Sequence, residues 1–126
     1  MNRRYFLEVA GMGMAFLVLP SCQQTDGVRS MYGLISQFIA ASGKRDELVA
    51  VLLAGTKSMP GCLSYVVSND NENDDALWIT EVWDSQDSHA ASLSKPSVQE
   101  AMVQGRPLIA EFGQRHEVTP VGGHGL

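Results

Sequence analysis

From residue 31 onward the chain alternates between apolar runs and polar punctuation. The stretch "MYGLISQFIA" (31–40) is apolar and aromatic without a clean period of two, and "ASGKRDE" supplies turn and cap residues after it. This predicts a strand followed by a helix start. Leu48, Val51, Leu52 and Gly55 recur at i, i+3, i+4, i+7 spacing, which predicts a helix over about Lys44 to Ser58, stopped by Pro60-Gly61. "CLSYVVS" (62–68) predicts a second strand, the acidic run "NDNENDDA" (69–76) a solvated hairpin loop, and "LWITEVW" (77–83) a third strand. Asp84 or Ser85 is placed to cap a short helix through His89, and Pro96 permits a new helical start. Val98, Ala101, Met102, Gly105, Leu108, Ile109 and Phe112 line one face of a longer helix, which Pro107 must kink or interrupt. "QRHEVTPV" (114–121) predicts the fourth strand, and "GGHGL" is too glycine-rich to hold structure of its own.

The resulting order, β-α-β-β-α-β, predicts an α+β fold of ferredoxin-like type, a four-stranded antiparallel sheet with helices on one face. The first and third strands are apolar on both sides, so the second sheet face needs a cover that one small domain cannot supply. Sheet-to-sheet packing in a homodimer is the expected solution. Trp78 and Trp83 are five residues apart and point to opposite faces of the third strand. Glu81 shares the face of Trp83 and needs a hydrogen-bond partner there, with Arg106 or Arg115 expected to form an ion pair with it.

The segment before residue 31 differs in kind. Arg3-Arg4 form a positive n-region, and Val9 to Leu19 form an apolar stretch shorter than the roughly 20 residues of a spanning helix. "RRYFL" resembles the twin-arginine export motif, and "LPSC" resembles a lipobox in which Cys22 carries the lipid of the mature chain. The expected organisation is an export signal over 1–21, a tether over 22–30, a domain over 31–119 and a flexible tail over 120–126. That layout places the protein in the cell envelope or periplasm, with membrane contact only through the leader or its lipid. If the leader is instead a buried or membrane-lying helix, the protein is cytoplasmic.

Composition narrows the function classes. A net charge of −5, with no basic cluster beyond Arg3-Arg4 and Lys44-Arg45, argues against a nucleic-acid partner. The two cysteines, Cys22 and Cys62, form no CxxC, and no His or Cys pair stands at metal-ligand spacing, so no metal site is expected. Cys62 reads as a small buried hydrophobe. The run Asp70 to Asp75 lacks the spacing and terminal Glu of an EF-hand. No GxGxxG, P-loop, GxSxG or HExxH occurs, which leaves the corresponding cofactor and hydrolase classes without support.

"MYGLISQF", "MPGCLSYVVSND", "WITEVWDS" and "GRPLIAEFG" resemble the antibiotic biosynthesis monooxygenase (ABM) domains, over about Met31 to Thr119. The resemblance implies a dimeric α+β barrel. It implies oxygen insertion into quinol-like or other electron-rich aromatic substrates by O2, without cofactor, the substrate supplying the electrons. Many members carry a histidine nine residues beyond the third-strand Trp, and that position here is Ser92, whereas His89 stands six residues beyond Trp83. On a helix the two are three apart and share a face, so His89 and Ser92 are the candidate catalytic positions and Trp83 and Tyr65 the candidate substrate-binding residues. Packing is the plain alternative for both aromatic residues, and a surface hydrogen bond is the alternative for His89. Two other functional readings stay open: a non-catalytic dimeric module that binds a small molecule or an envelope complex, and a haem binder using His89.

Overall fold

The computed structural model describes residues 30–126. The export-signal reading of residues 1–21, the lipidation of Cys22 and nearly all of the tether lie outside the described residues. Four strands, β1 (Tyr32–Ala40), β2 (Cys62–Asn69), β3 (Ala76–Trp83) and β4 (Ile109–Val118), form one sheet in the order β2-β3-β1-β4. All three pairings are antiparallel. Helices α1 (Arg45–Gly55), α2 (Gln86–Ser92) and α3 (Pro96–Gly105) complete the ferredoxin-like fold. No helix among the described residues is long and apolar enough to cross a membrane.

The strand alternation sets the core. Leu77, Ile79 and Trp83 point to the helix side of β3, and Leu34, Ser36 and Ala40 do so on β1; all are buried. Two clusters result. Ala40, Leu48, Leu77 and Ile79 pack under α1, while Met59, Trp83 and Val98 pack where β3 meets the later helices. The opposite face carries Ile35, Val66, Trp78, Val82 and Val118, of which Val66 and Val118 are exposed. The two tryptophans thus lie on opposite faces.

Helix boundaries follow local chemistry. Of the two expected caps for α2, Ser85 is the one used: its Oγ accepts from Ser88 N at 3.1 Å. Ser85→Ala is expected to cost about 1 kcal/mol, read as a lowered urea midpoint. Pro96 occupies the first turn of α3, where its missing N–H is harmless. At Gly55, α1 approaches α3 so closely that an added Cβ would collide with the Ala101 Cβ. Gly61 holds φ +86° in the turn before β2, with Ser88 of α2 pressed against it.

One expectation fails at the second long helix. α3 ends at Gly105, a 3₁₀ turn covers Arg106–Leu108, and β4 starts at Ile109 rather than near Gln114. Pro107 has no N–H to continue the helix. Ile109 and Phe112 are therefore strand residues, paired with Ala40 and Phe38, and do not extend the face of Val98, Ala101 and Gly105. The first helix is also shorter than the apolar spacing predicts, ending at Gly55 with Thr56 Oγ1 donating to Leu52 O at 2.7 Å.

The acidic β2–β3 loop is the solvated hairpin connection expected, exposed over residues 71–74, and it is also tied to α1. Arg45 Nη1 donates to the carbonyls of Asp70, Asn73 and Ala76 at 3.0–3.1 Å, tying α1 to the hairpin. The Asp70 carboxylate accepts from Trp78 Nε1 at 2.9 Å and from Glu72 N at 2.7 Å, and the indole bond holds it below the usual carboxylate range. Arg45→Ala is expected to cost about 1–3 kcal/mol, with faster hydrogen exchange confined to the 70–76 amides.

Candidate functional site

The β3 alternation delivers Glu81 and Trp83 to the helix side, and the chain then turns back through Ser85 so that α2 lays His89 over the end of the strand. Trp83 Nε1 donates to Glu81 Oε1 at 2.9 Å, and His89 Nε2 stands 4.0 Å from the same oxygen. That separation is an ion-pair distance when His89 is protonated, and too long for a hydrogen bond. The imidazole lies between two aromatic rings, 5.4 Å from Trp83 in an edge arrangement and 5.3 Å from Tyr32. The Glu81 and His89 side chains are only 12% and 16% exposed, so both sit in a weakly hydrated setting.

These residues form one wall of a cavity of about 250 Å³ between sheet and helices. Phe38, Leu48, Met59, Ile79 and the largely exposed Phe112 are among its apolar lining residues, with Ser36 and Arg106 as further polar residues. Such a volume falls just below the usual range of ligand pockets, roughly 300–1,000 Å³, and suits a small aromatic molecule.

All four positions singled out from the sequence, His89, Ser92, Trp83 and Tyr65, line this cavity. Their chemistry differs. Ser92 is buried, and its Oγ donates to His89 O at 2.6 Å, so the hydroxyl is occupied in finishing its own helix. Tyr65 faces Glu81 across the β2–β3 pair, and burial, reinforced by the Glu81 carboxylate, pushes its phenol well above the ordinary value. Tyr65 therefore stays protonated. Trp83 is 1% exposed and is both core and pocket wall.

The expected ion pair of Glu81 with Arg106 or Arg115 is replaced by the Trp83 bond and the nearby His89. Arg115 acts on Glu81 only as a charge, because it sits on β4 opposite Ser36 rather than beside the carboxylate. Burial raises the Glu81 carboxyl above its ordinary value, and the indole bond, His89 and Arg115 limit the rise. The folded chain thus holds this proton more tightly than the unfolded chain. The Glu81 contribution to stability is greatest below the ordinary carboxylate value, falls as pH rises from there through the raised folded value, and then levels off. Denaturation midpoints across that window are expected to show the decline in the wild type and a flatter profile in Glu81→Gln.

Cys62 is half-buried, with Sγ donating to Ser64 O at 3.5 Å, and burial raises its thiol, which fits a packing role rather than a nucleophile. His116 is exposed on β4, 3.2 Å from Gln114 Oε1, and outside the cavity lining. Among the described residues no group of three or more His, Cys, Asp or Glu side chains is arranged to hold a metal. The residues the sequence left unassigned, Ser36, Phe38, Met59 and Phe112, come from four separate segments or strand positions. Only the alternation of β1 gives a local signal for the first two.

Comparison with known proteins agrees with this architecture. The family model for antibiotic biosynthesis monooxygenase matches residues 31–104. A protein of Chloroflexus aurantiacus J-10-fl bearing that family name is 62% identical, with a TM-score of 0.74 over 75% of this chain and 97% of its own. More distant bearers of the name share the fold: one from Caulobacter crescentus CB15 is 17% identical, with a TM-score of 0.68 over 79% of this chain and 100% of its own. Another from Bordetella bronchiseptica is 18% identical, with a TM-score of 0.62 over 73% and 98%. No curated protein matches the chain. With the family model spanning most of the domain and a relative of such high identity, this chain belongs to the antibiotic biosynthesis monooxygenase family.

Proposed function

We propose that the protein is a cofactor-independent monooxygenase of quinol-like or other electron-rich aromatic small molecules. The observation that carries this reading is the grouping of Glu81, Trp83 and His89 on one wall of an apolar cavity of aromatic size, in a chain of this family. One atom of O2 enters the substrate, the other leaves as water, and the substrate supplies all the electrons. Phe38, Trp83 and Phe112 hold the flat ring, Tyr65 donates to a ring oxygen, and His89 with Glu81 handles the proton. The test is oxygen uptake with a panel of reduced quinols. At least one is expected to be consumed well above its autoxidation rate, and a panel that never exceeds that rate overturns the reading.

A binding-only role has one observation in its favour. Ser92 stands at the position where the family resemblance leads to a histidine, and its hydroxyl is spent on His89 O. Under that reading aromatic ligands bind without oxygen uptake. Haem is the weaker occupant, because a porphyrin exceeds a cavity of about 250 Å³; haemin titration then yields no Soret band dependent on His89.

The assembly we propose is a homodimer joined through the sheet face that bears Ile35, Val66, Val82 and Val118. Light scattering is expected to give twice the chain mass, and Val66→Asp to shift it toward monomer. We further propose export and lipid anchoring through Cys22. Cys22→Ala is then expected to move the protein from the membrane fraction to the soluble one.

A further inference from the structure

We infer that Glu81 is the group that accepts the hydroxyl proton of the aromatic substrate, an assignment that rests on the pocket reading above. Its two oxygens are not equivalent. Oε1 is committed, since it accepts from Trp83 Nε1 at 2.9 Å and faces His89 Nε2 at 4.0 Å. Oε2 has no hydrogen-bond partner among the described residues, yet it is not sealed in: the one fully enclosed side-chain nitrogen or oxygen without a partner among them is Arg45 Nε. Oε2 is thus an acceptor without a protein donor, on a residue that lines a mainly apolar cavity.

A carboxylate so placed costs free energy unless a donor meets it. An aromatic hydroxyl supplies that donor, while its ring fills the space beside Phe38, Met59 and Phe112. A carboxylate ligand brings like charge and no donor. The surrounding groups favour the same assignment: His89 from α2 and Arg115 from β4 offset negative charge, while Tyr65 and Cys62 from β2, both raised by burial, stay neutral. In the step itself the substrate O–H bond breaks, a new O–H bond forms at Oε2, and the electron pair stays on the substrate oxygen. The product is a phenolate, more electron-rich toward O2, and the proton stays on Glu81 through this step. No oxidant enters this step.

The probe is 4-nitrophenol with the full-length protein, above the phenol's own pKa, where the free probe is the coloured phenolate. Wild-type protein is expected to take up one proton per bound probe while the bound molecule keeps the phenolate band, and to lose affinity about tenfold per pH unit. Glu81→Gln binds the phenolate with neither proton uptake nor that slope, and His89→Gln keeps the proton uptake. Binding without proton uptake in the wild type, or a neutral-phenol band for the bound molecule, overturns the inference, as does a Glu81→Gln variant that behaves like the wild type. The wild-type proton count needs no variant to fold. Should the pattern hold while no quinol drives oxygen uptake, the oxygenase reading fails and the proton acceptor stands. Absence of saturable binding up to the probe's solubility overturns both the pocket reading and the inference.

Discussion

Trp83→Ala is expected to bring the domain to the edge of unfolding. The indole is 1% exposed and anchors the cluster with Met59 and Val98, and removing a buried aromatic of this size costs about 3–5 kcal/mol. The same change strips Glu81 of its hydrogen-bond donor, which adds about 1–3 kcal/mol for a buried carboxylate left short of partners. Against a total stability of about 5–15 kcal/mol, a combined loss of about 4–8 kcal/mol takes a large share or all of it. Urea denaturation is the measurement, and Trp78→Ala is the comparison. Trp78 is half-buried on the other face and bonds only the hairpin Asp70, so its loss is expected to lower the midpoint by much less. Equal losses at the two sites would contradict the placement of the core on the helix side.

His89→Ala is expected to have the largest effect on chemistry with a small effect on folding. The imidazole touches the cavity, faces the Glu81 carboxylate and makes no side-chain hydrogen bond within the described residues, so its removal opens space rather than orphaning a partner. Loss of a positioned acid–base group lowers turnover by roughly 10²–10⁴-fold. The affinity for the aromatic ring, set by Phe38, Trp83 and Phe112, is expected to change far less. Steady-state oxygen uptake with the best quinol separates the two, since kcat falls while KM stays close to its wild-type value. An unchanged rate would leave His89 as wall material only.

The parts of this architecture that are legible in the sequence are those with local causes. "MYGLISQFIA", "CLSYVVS" and "LWITEVW" are apolar runs bounded by turn residues, and each is a strand within one residue of its predicted ends. Ser85 as a cap and Pro96 as a helix start depend on the chemistry of single residues and their neighbours. The misreading from Leu108 to Phe112 has an equally physical origin. Those apolar residues continue the helical spacing of Val98 and Ala101, but they also suit a strand, and the missing N–H of Pro107 decides between the two. The Arg45 clamp on the hairpin joins residues 25–31 positions apart and leaves no local trace. Glu81 is an intermediate case. Strand alternation puts it beside Trp83, but its approach to His89 depends on how α2 turns back, which no spacing rule contains. The "EVWDS" run therefore marks the place of the pocket in the sequence, while the carboxylate–indole–imidazole grouping is visible only once the chain is folded.

Insertion of oxygen from O2 into an aromatic substrate that supplies its own electrons is the chemistry proposed for this pocket. Turnover of the most active quinol under isotopically labelled O2, with no metal, flavin or haem added, followed by mass spectrometry of the product, tests it most directly. A single labelled oxygen atom is expected in the product from wild-type protein, at a rate that collapses in His89→Ala. An unlabelled oxidised product, or label that appears equally without the protein, would contradict it.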